Sequence, residues 1–159
     1  MRKIFTLLCL ATFIFTSCSN DDDFIDTDTI GQTFDFTTTF SPSNEYSDRF
    51  MFPENIFDSD VVLVYRLENV DNGLEVWEPL PTVTIFLNDV DDTSVQYRYN
   101  FTSGDVDVIL ESNNLDLVPA DLTNNQKFRV VVVPSEFAKN TKIDLSDFNA
   151  VQSALKLEF

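Results

Sequence analysis

The sequence contains no histidine. That removes the commonest general base, the commonest transition-metal ligand and every Ser-His-Asp or Cys-His mechanism. Cysteine is nearly as scarce: Cys9 and Cys18 are the two present, both near the N-terminus. The rest of the chain can hold neither a disulfide framework nor a thiol pair for redox or metal chemistry. Basic residues number 10 against 27 acidic, a formal charge of -17, which argues against nucleic acid and against docking on an anionic lipid surface. Three glycines argue against a glycine-punctuated barrel. No apolar run reaches the ~20 residues of a spanning helix; the N-terminal one stops at Thr16.

That short run is nevertheless informative. Arg2 and Lys3 form a positive segment ahead of the apolar stretch Ile4 to Thr16, the layout of a secretory signal. Phe15-Thr16-Ser17-Cys18 resembles the lipobox of bacterial lipoproteins, with Phe15 where an aliphatic residue is usual. The resemblance implies that residues 1–17 are removed as a lipoprotein signal peptide and that the Cys18 thiol carries diacylglycerol. Each buried CH₂ contributes ~0.8 kcal/mol to membrane binding, and one chain alone holds only marginally. Two or three chains at one cysteine anchor durably. The mature chain would have 159 − 17 = 142 residues and, without Arg2 and Lys3, a charge of −19. That length suits one domain with one core. Asp21, Asp22 and Asp23 follow directly and resemble the acidic export signal of Bacteroidetes surface lipoproteins. The expected location is therefore the outer membrane, exposed at the surface, with its periplasmic face as the alternative.

Residues 18–31 are rich in Asp and Thr with little apolar periodicity, as in a lipid-anchored acidic spacer. Asp26-Thr27-Asp28-Thr29-Ile30-Gly31 opens like a calcium loop, but Ile30 and Thr37 occupy positions 5 and 12, where oxygen ligands belong. Residues 32–159 read as strands and turns. Gln32 to Phe40 alternates, with Phe34, Phe36 and Phe40 on one face. Val61 to Leu67 and Lys127 to Val133 are continuous β-branched runs, the pattern of strands covered on both faces. Asp71-Asn72-Gly73 predicts a type I′ hairpin. Glu75 to Leu80, Thr82 to Leu87, Ser94 to Phe101 and Val106 to Leu110 follow as further strands, with Asn88 to Asp92 an acidic loop. Only the C-terminus reads as helical: Ser146 can cap a helix whose Phe148, Val151 and Leu155 share one face. The expected fold is all-β, a single antiparallel β-sandwich, Ig-like or jelly-roll-like, with a short C-terminal helix.

Three segments, Asp60 to Leu67, Val76-Trp77-Glu78-Pro79-Leu80-Pro81 and Phe128 to Pro134, resemble those of a family of small Bacteroidetes surface lipoproteins of unknown function. The resemblance spans nearly the whole mature chain. Some members are collagen-like, with a Gly-Pro-Pro tract that this chain lacks. Others carry enzyme names such as dihydrolipoamide dehydrogenase. The residues exclude that activity here, since there is no G-x-G-x-x-G fingerprint, no redox cysteine pair and no histidine. The family's members have no established activity to carry over to this chain. The residues themselves give no cofactor and no metal site to expect.

Trp77, flanked by Glu75, Glu78 and Pro79, is the candidate ligand-binding residue, a ring on which a sugar can stack. Tyr97 and Tyr99 share a face with Val95 and Phe101, the pattern of burial. Asp58, Asp60, Asp89, Asp91 and Asp92 offer hard oxygens for Ca²⁺ but only partial ligand sets. Glu75, Glu78, Asp105 and Asp107 offer the carboxylate pairs a glycosidase needs, although any acidic domain offers some such pair. The expectation is a non-enzymatic envelope lipoprotein, structural or adhesive, held to the membrane through its N-terminal lipid. The alternative is an accessory module binding a glycan, a peptide or a cell-surface protein.

Overall fold

The computed structural model describes residues 31–87, 92–140 and 142–155. Its strands are β1 (Gln32–Thr38), β2 (Ser47–Met51), β3 (Val61–Asp71), β4 (Leu74–Pro79), β5 (Ile85–Leu87), β6 (Thr93–Phe101), β7 (Asp105–Ser112) and β8 (Gln126–Val133). Three short helices are α1 (Ala120–Thr123), α2 (Ser135–Asn140) and α3 (Phe148–Leu155). The strands form two antiparallel sheets of four, in the orders β1-β8-β3-β4 and β2-β7-β6-β5. The expected β-sandwich with a C-terminal helix is the observed fold. Pairing β1 with β8 and β2 with β7 nests the two ends of the chain, as in a jelly roll, while β3–β4 and β5–β6 are hairpins.

Alternation puts the core between the sheets. Val62 and Val64 from β3, Val95 and Tyr97 from β6, Val106 and Val108 from β7, and Phe128, Val130 and Val132 from β8 are buried together. Phe34 and Phe36 of β1 reach across to Phe50 of β2, each with ring centroids 5.4 Å apart. The opposite face of β8 is covered too. Val131 and Val133 pack with Tyr65, Phe148 and Val151 beneath α3, joined by Phe137 and Ala138 of α2. That third layer is why β3 and β8 carry unbroken apolar runs, whereas a strand with one wet face alternates.

Local chemistry sets the elements. At the β3–β4 turn Asn72 and Gly73 both have positive φ, 50° and 83°, as a type I′ hairpin requires and as glycine readily allows. The cap of α3 falls one residue beyond the expected Ser146. Asp147 Oδ1 accepts the backbone N–H groups of Asn149 (2.9 Å) and Ala150 (3.2 Å), while Ser146 turns back to donate to Asp144. Gly31 enters the domain under the end of this helix, where an added Cβ would stand 2.9 Å from Leu155 Cδ1 and 3.3 Å from the Val132 carbonyl.

The register gives the domain two distinct ends. β1 starts beside the end of β8, Gln32 opposite Val132, and β3 starts at the same end, Val61 opposite Val133. From there β3 runs the length of the sheet. Its last residue paired with β8 is Arg66, and from Leu67 to Asp71 it pairs only with β4. The overhanging hairpin is exposed from Glu68 to Glu75, and Val70 and Leu74 are 59% and 73% exposed at its tip.

Candidate functional site

The outward face of the first sheet holds Trp77. On this face β1, β8 and β3 place Asp35, Arg129 and Tyr65 in one row, since Asp35 and Tyr65 are both register partners of Arg129. Arg129, only 6% exposed, donates from Nε and Nη2 to the two Asp35 oxygens at 2.6 and 2.7 Å. Its guanidinium carbon lies 4.2 Å from the centroid of the Trp77 ring and 5.0 Å from that of Phe148. Lys127 Nζ adds a second cation 5.3 Å from the indole, and donates to Glu75 at 2.9 Å. Burial pushes the Asp35 carboxyl up, but the hydrogen bonds and charge of Arg129, with Lys127, more than offset it and hold it below the usual range. Trp77 is thus half-buried, 5.8 Å from Phe148 of α3 and stacked by Arg129, a packing arrangement worth more to the fold than to a free ligand.

The sheet separates Glu75 from Glu78, whereas Asp105 and Asp107 share one face of β7 and one partner, Arg49. Glu75 joins Trp77 on the outward face, whereas Glu78 points inward beside Arg66, with 3.8 Å between Glu78 Oε2 and Arg66 Nη1. Burial, with the nearby Glu68 charge, raises the Glu78 carboxyl, and Arg66 only partly counters it. Arg66 in turn donates to Gln126 Oε1 (2.9 Å) and covers the Tyr97 ring at 4.5 Å, a buried polar cap on one end of the core. Asp105 and Asp107 lie on the other sheet, where Arg49 Nε is 2.7 Å from Asp107 Oδ1 and 3.6 Å from Asp105 Oδ2. Tyr97 is fully buried and donates to the Leu122 carbonyl, and Tyr99 donates to that of Val62 (2.8 Å). Among the described residues no three of His, Cys, Asp or Glu are grouped to hold a metal ion. Cys18, Asp21, Asp22, Asp23, Asp89 and Asp91 lie outside the described residues.

The outward face of the second sheet has no helix over it among the described residues. There β5, β6 and β7 form a cleft of about 490 Å³ lined by polar side chains, Ser94, Gln96, Glu111 and Asn113 among them, and by apolar Val95, Leu110 and Leu115. Strand alternation produces it: Val95 and Tyr97 face the core, so Ser94 and Gln96 face out, and Glu111 is Gln96's register partner on β7. Phe86, the partner of Ser94 on β5, stands on the same face and is 68% exposed. Three of the lining side chains are fixed. Gln96 Nε2 donates to the Thr82 carbonyl (2.8 Å), and Glu111 Oε1 accepts from Arg98 Nε. Asn113 Oδ1 accepts the Ser94 N–H (2.8 Å), and its Nδ2 donates to the Asp92 carbonyl (3.1 Å).

No protein-family model, curated protein or solved structure matches this chain. The candidate site therefore rests on its own geometry, and by that measure the cleft is a better binding surface than Trp77. It is open, it mixes hydrogen-bonding and apolar side chains, and the exposed Phe86 ring lies on the strand beside Ser94 of its lining. Reading residues 82–87 as a strand contained the signal, because Ile85 and Leu87 turned inward leave Phe86 alone on the polar side.

Proposed function

We propose that the protein is a non-enzymatic lipoprotein of the cell envelope, anchored through lipid on Cys18, exposed at the outer surface and structural or adhesive in role. This keeps it with the small Bacteroidetes surface lipoproteins that its sequence resembles. The observation that carries the reading is the polarity of the sandwich. Gly31 joins β1 at one end, and the β3–β4 hairpin with exposed Val70 and Leu74 extends from the other. A tether leading to Gly31 would hold the first end toward the membrane and present the hairpin tip away from it. That tip, with Val70 and Leu74 set among Glu68, Asp71 and Glu75, would be the part of the domain free to meet a neighbouring surface. The accessory-module reading stands second, favoured by the cleft on β5, β6 and β7.

Cys18→Ala is expected to abolish incorporation of a radiolabelled fatty acid and to leave a precursor that retains residues 1–17. Labelling of the variant at the wild-type level would remove the lipid anchor. Replacing Asp21, Asp22 and Asp23 with alanine is expected to keep lipidation and lower surface exposure several-fold. Protease shaving of intact cells reads this directly, and equal digestion of variant and wild type would discard the export signal.

A further inference from the structure

We propose that the cleft on the outward face of β5, β6 and β7 binds a neutral oligosaccharide, with Phe86 as the stacking ring and Gln96, Glu111 and Asn113 as fixed acceptors. This names the ligand class of the accessory-module reading and rests on it, while standing apart from the lipid anchor.

The chemistry of the lining selects the ligand. Gln96 uses its amide N–H on the Thr82 carbonyl, which leaves Oε1 turned to other donors. Glu111 meets Arg98 through Oε1, leaving Oε2 as an acceptor, and Asn113 Oδ1 keeps a second lone pair beyond the Ser94 bond. The hydroxyls of Thr84, Ser94 and Ser112 add to the lining, and Val95, Leu110 and Leu115 supply its apolar part. The cleft therefore offers acceptors and donors side by side, and a ligand whose hydroxyls both donate and accept matches it. Neighbouring strands are ~4.8 Å apart and successive outward residues ~7 Å apart, so these oxygens spread over an area the size of a sugar ring.

Other ligand classes fit less well. An anion such as a phosphate or uronate would face carbonyl and carboxylate oxygens, and the cation in reach, Arg98, is already paired with Glu111. A metal ion would find a single carboxylate in the lining, already neutralised by that same arginine. A peptide adding to an exposed edge uses main-chain groups of the edge strand, but β5 has only three residues and the prearranged groups are side chains on the sheet face. A sugar needs both an apolar ring face to lie on and lateral hydrogen bonds, and Phe86 beside Ser94 supplies the ring. Because the acceptors are held by protein hydrogen bonds, binding does not first have to order them.

The test is a ¹H–¹⁵N NMR titration of the detergent-solubilised full chain. The probes are cellohexaose, xylohexaose, mannohexaose, laminarihexaose and maltohexaose, with a galacturonate hexamer as the anionic comparison. At least one neutral hexasaccharide is expected to shift the amides of Phe86, Ser94, Gln96 and Glu111 while the Trp77 indole N–H, on the other sheet, stays in place. Phe86→Ala is expected to weaken that binding tenfold or more with an unchanged thermal midpoint. Gln96→Ala is expected to weaken it as much while also lowering the midpoint by a few degrees through loss of its bond to the Thr82 carbonyl, and EDTA is expected to have no effect. The proposal is overturned if no neutral hexasaccharide shifts these amides at millimolar concentration, or if the shifts gather around Trp77. It is equally overturned by tighter binding of the galacturonate, by loss of binding in EDTA, or by wild-type affinity in Phe86→Ala. Those results leave the fatty-acid labelling of Cys18 untouched, so failure of the cleft and failure of the anchor are told apart.

Discussion

Phe128→Ala should lower the unfolding free energy by about 3–5 kcal/mol, the range for removing a large aromatic from a packed core. The ring has no solvent exposure and lies where the two sheets meet. Its centroid is 5.5 Å from Phe36, 6.0 Å from Phe40 and 6.2 Å from Tyr97. Truncation leaves a void between the two sheets, lined by Phe36 of β1, Tyr97 of β6 and Phe40, and strands tied into sheets cannot collapse into it without breaking their ladders. For a domain of this size the thermal midpoint should fall by roughly 10–20 °C. Phe86→Ala provides the comparison on the surface, where changes stay within about 0.5 kcal/mol. Thermal unfolding followed by circular dichroism separates the two, and equal midpoints would mean that Phe128 is not at the centre of the core.

Asp35→Asn is the second large effect. Arg129 is buried, and the substitution removes the charge that neutralises it and one of its two short hydrogen bonds. Losing one member of a buried ion pair costs about 3–5 kcal/mol. Asp35 is about one-third exposed, and Glu75 stands 3.9 Å from Arg129 Nη2, so screening and a substitute partner reduce the expected loss to roughly 2–3 kcal/mol. The same pair makes stability depend on pH. Burial raises the Asp35 carboxyl, and the Arg129 and Lys127 contacts more than reverse this, so its folded pKa lies below the unfolded value near 3.8. Such a group stabilises the fold fully above the unfolded pKa, and the contribution disappears as pH falls through the folded pKa. Urea titrations between pH 6 and pH 2 should therefore show a shallower acid loss in Asp35→Asn than in the wild type. Some acid dependence should remain, because Arg49 holds Asp107 low and Ser146 holds Asp144 low. Parallel curves for the two proteins would contradict the assignment.

Much of the fold could be read from short-range pattern. The runs in β3 and β8 announced strands with two dry faces, because they are short, β-branched and continuously apolar. Asn72-Gly73 announced its turn through backbone sterics alone. The face of α3 followed from Phe148, Val151 and Leu155, but its cap did not. Ser146 and Asp147 are both good caps one residue apart, and Ser146 is drawn away by Asp144. The helix α2 escaped because six residues are too few to display a helical period. β5 is shorter than the apolar stretch suggested because Thr82 leaves the ladder: its N–H bonds the Tyr97 carbonyl, and its hydroxyl takes the Tyr97 N–H.

The site was less legible, for a different reason. Trp77 looked like an available ring because its stacking partner, Arg129, arrives from β8, far along the chain, and only the pairing of β3 with β4 and β8 brings them together. Of the four acids Glu75, Glu78, Asp105 and Asp107, the first two are three residues apart, and strand neighbours of opposite parity face opposite sides of the sheet. The cleft depends on three strands whose register no local pattern specifies. Its residue types, small hydroxyls and amides alternating with Val95 and Tyr97, read on their own as an ordinary wet face.

The position of β1 also determines how the domain carries load. If a cell is pulled while the hairpin tip is bound and Cys18 is anchored, force enters at Gly31 and leaves near Asp71, along the strand axis. β1 would then slide lengthwise against β8, straining its seven registered pairs together instead of opening them one after another like a zipper. Under the proposed anchoring, detachment would then require the seven pairs to give way at once.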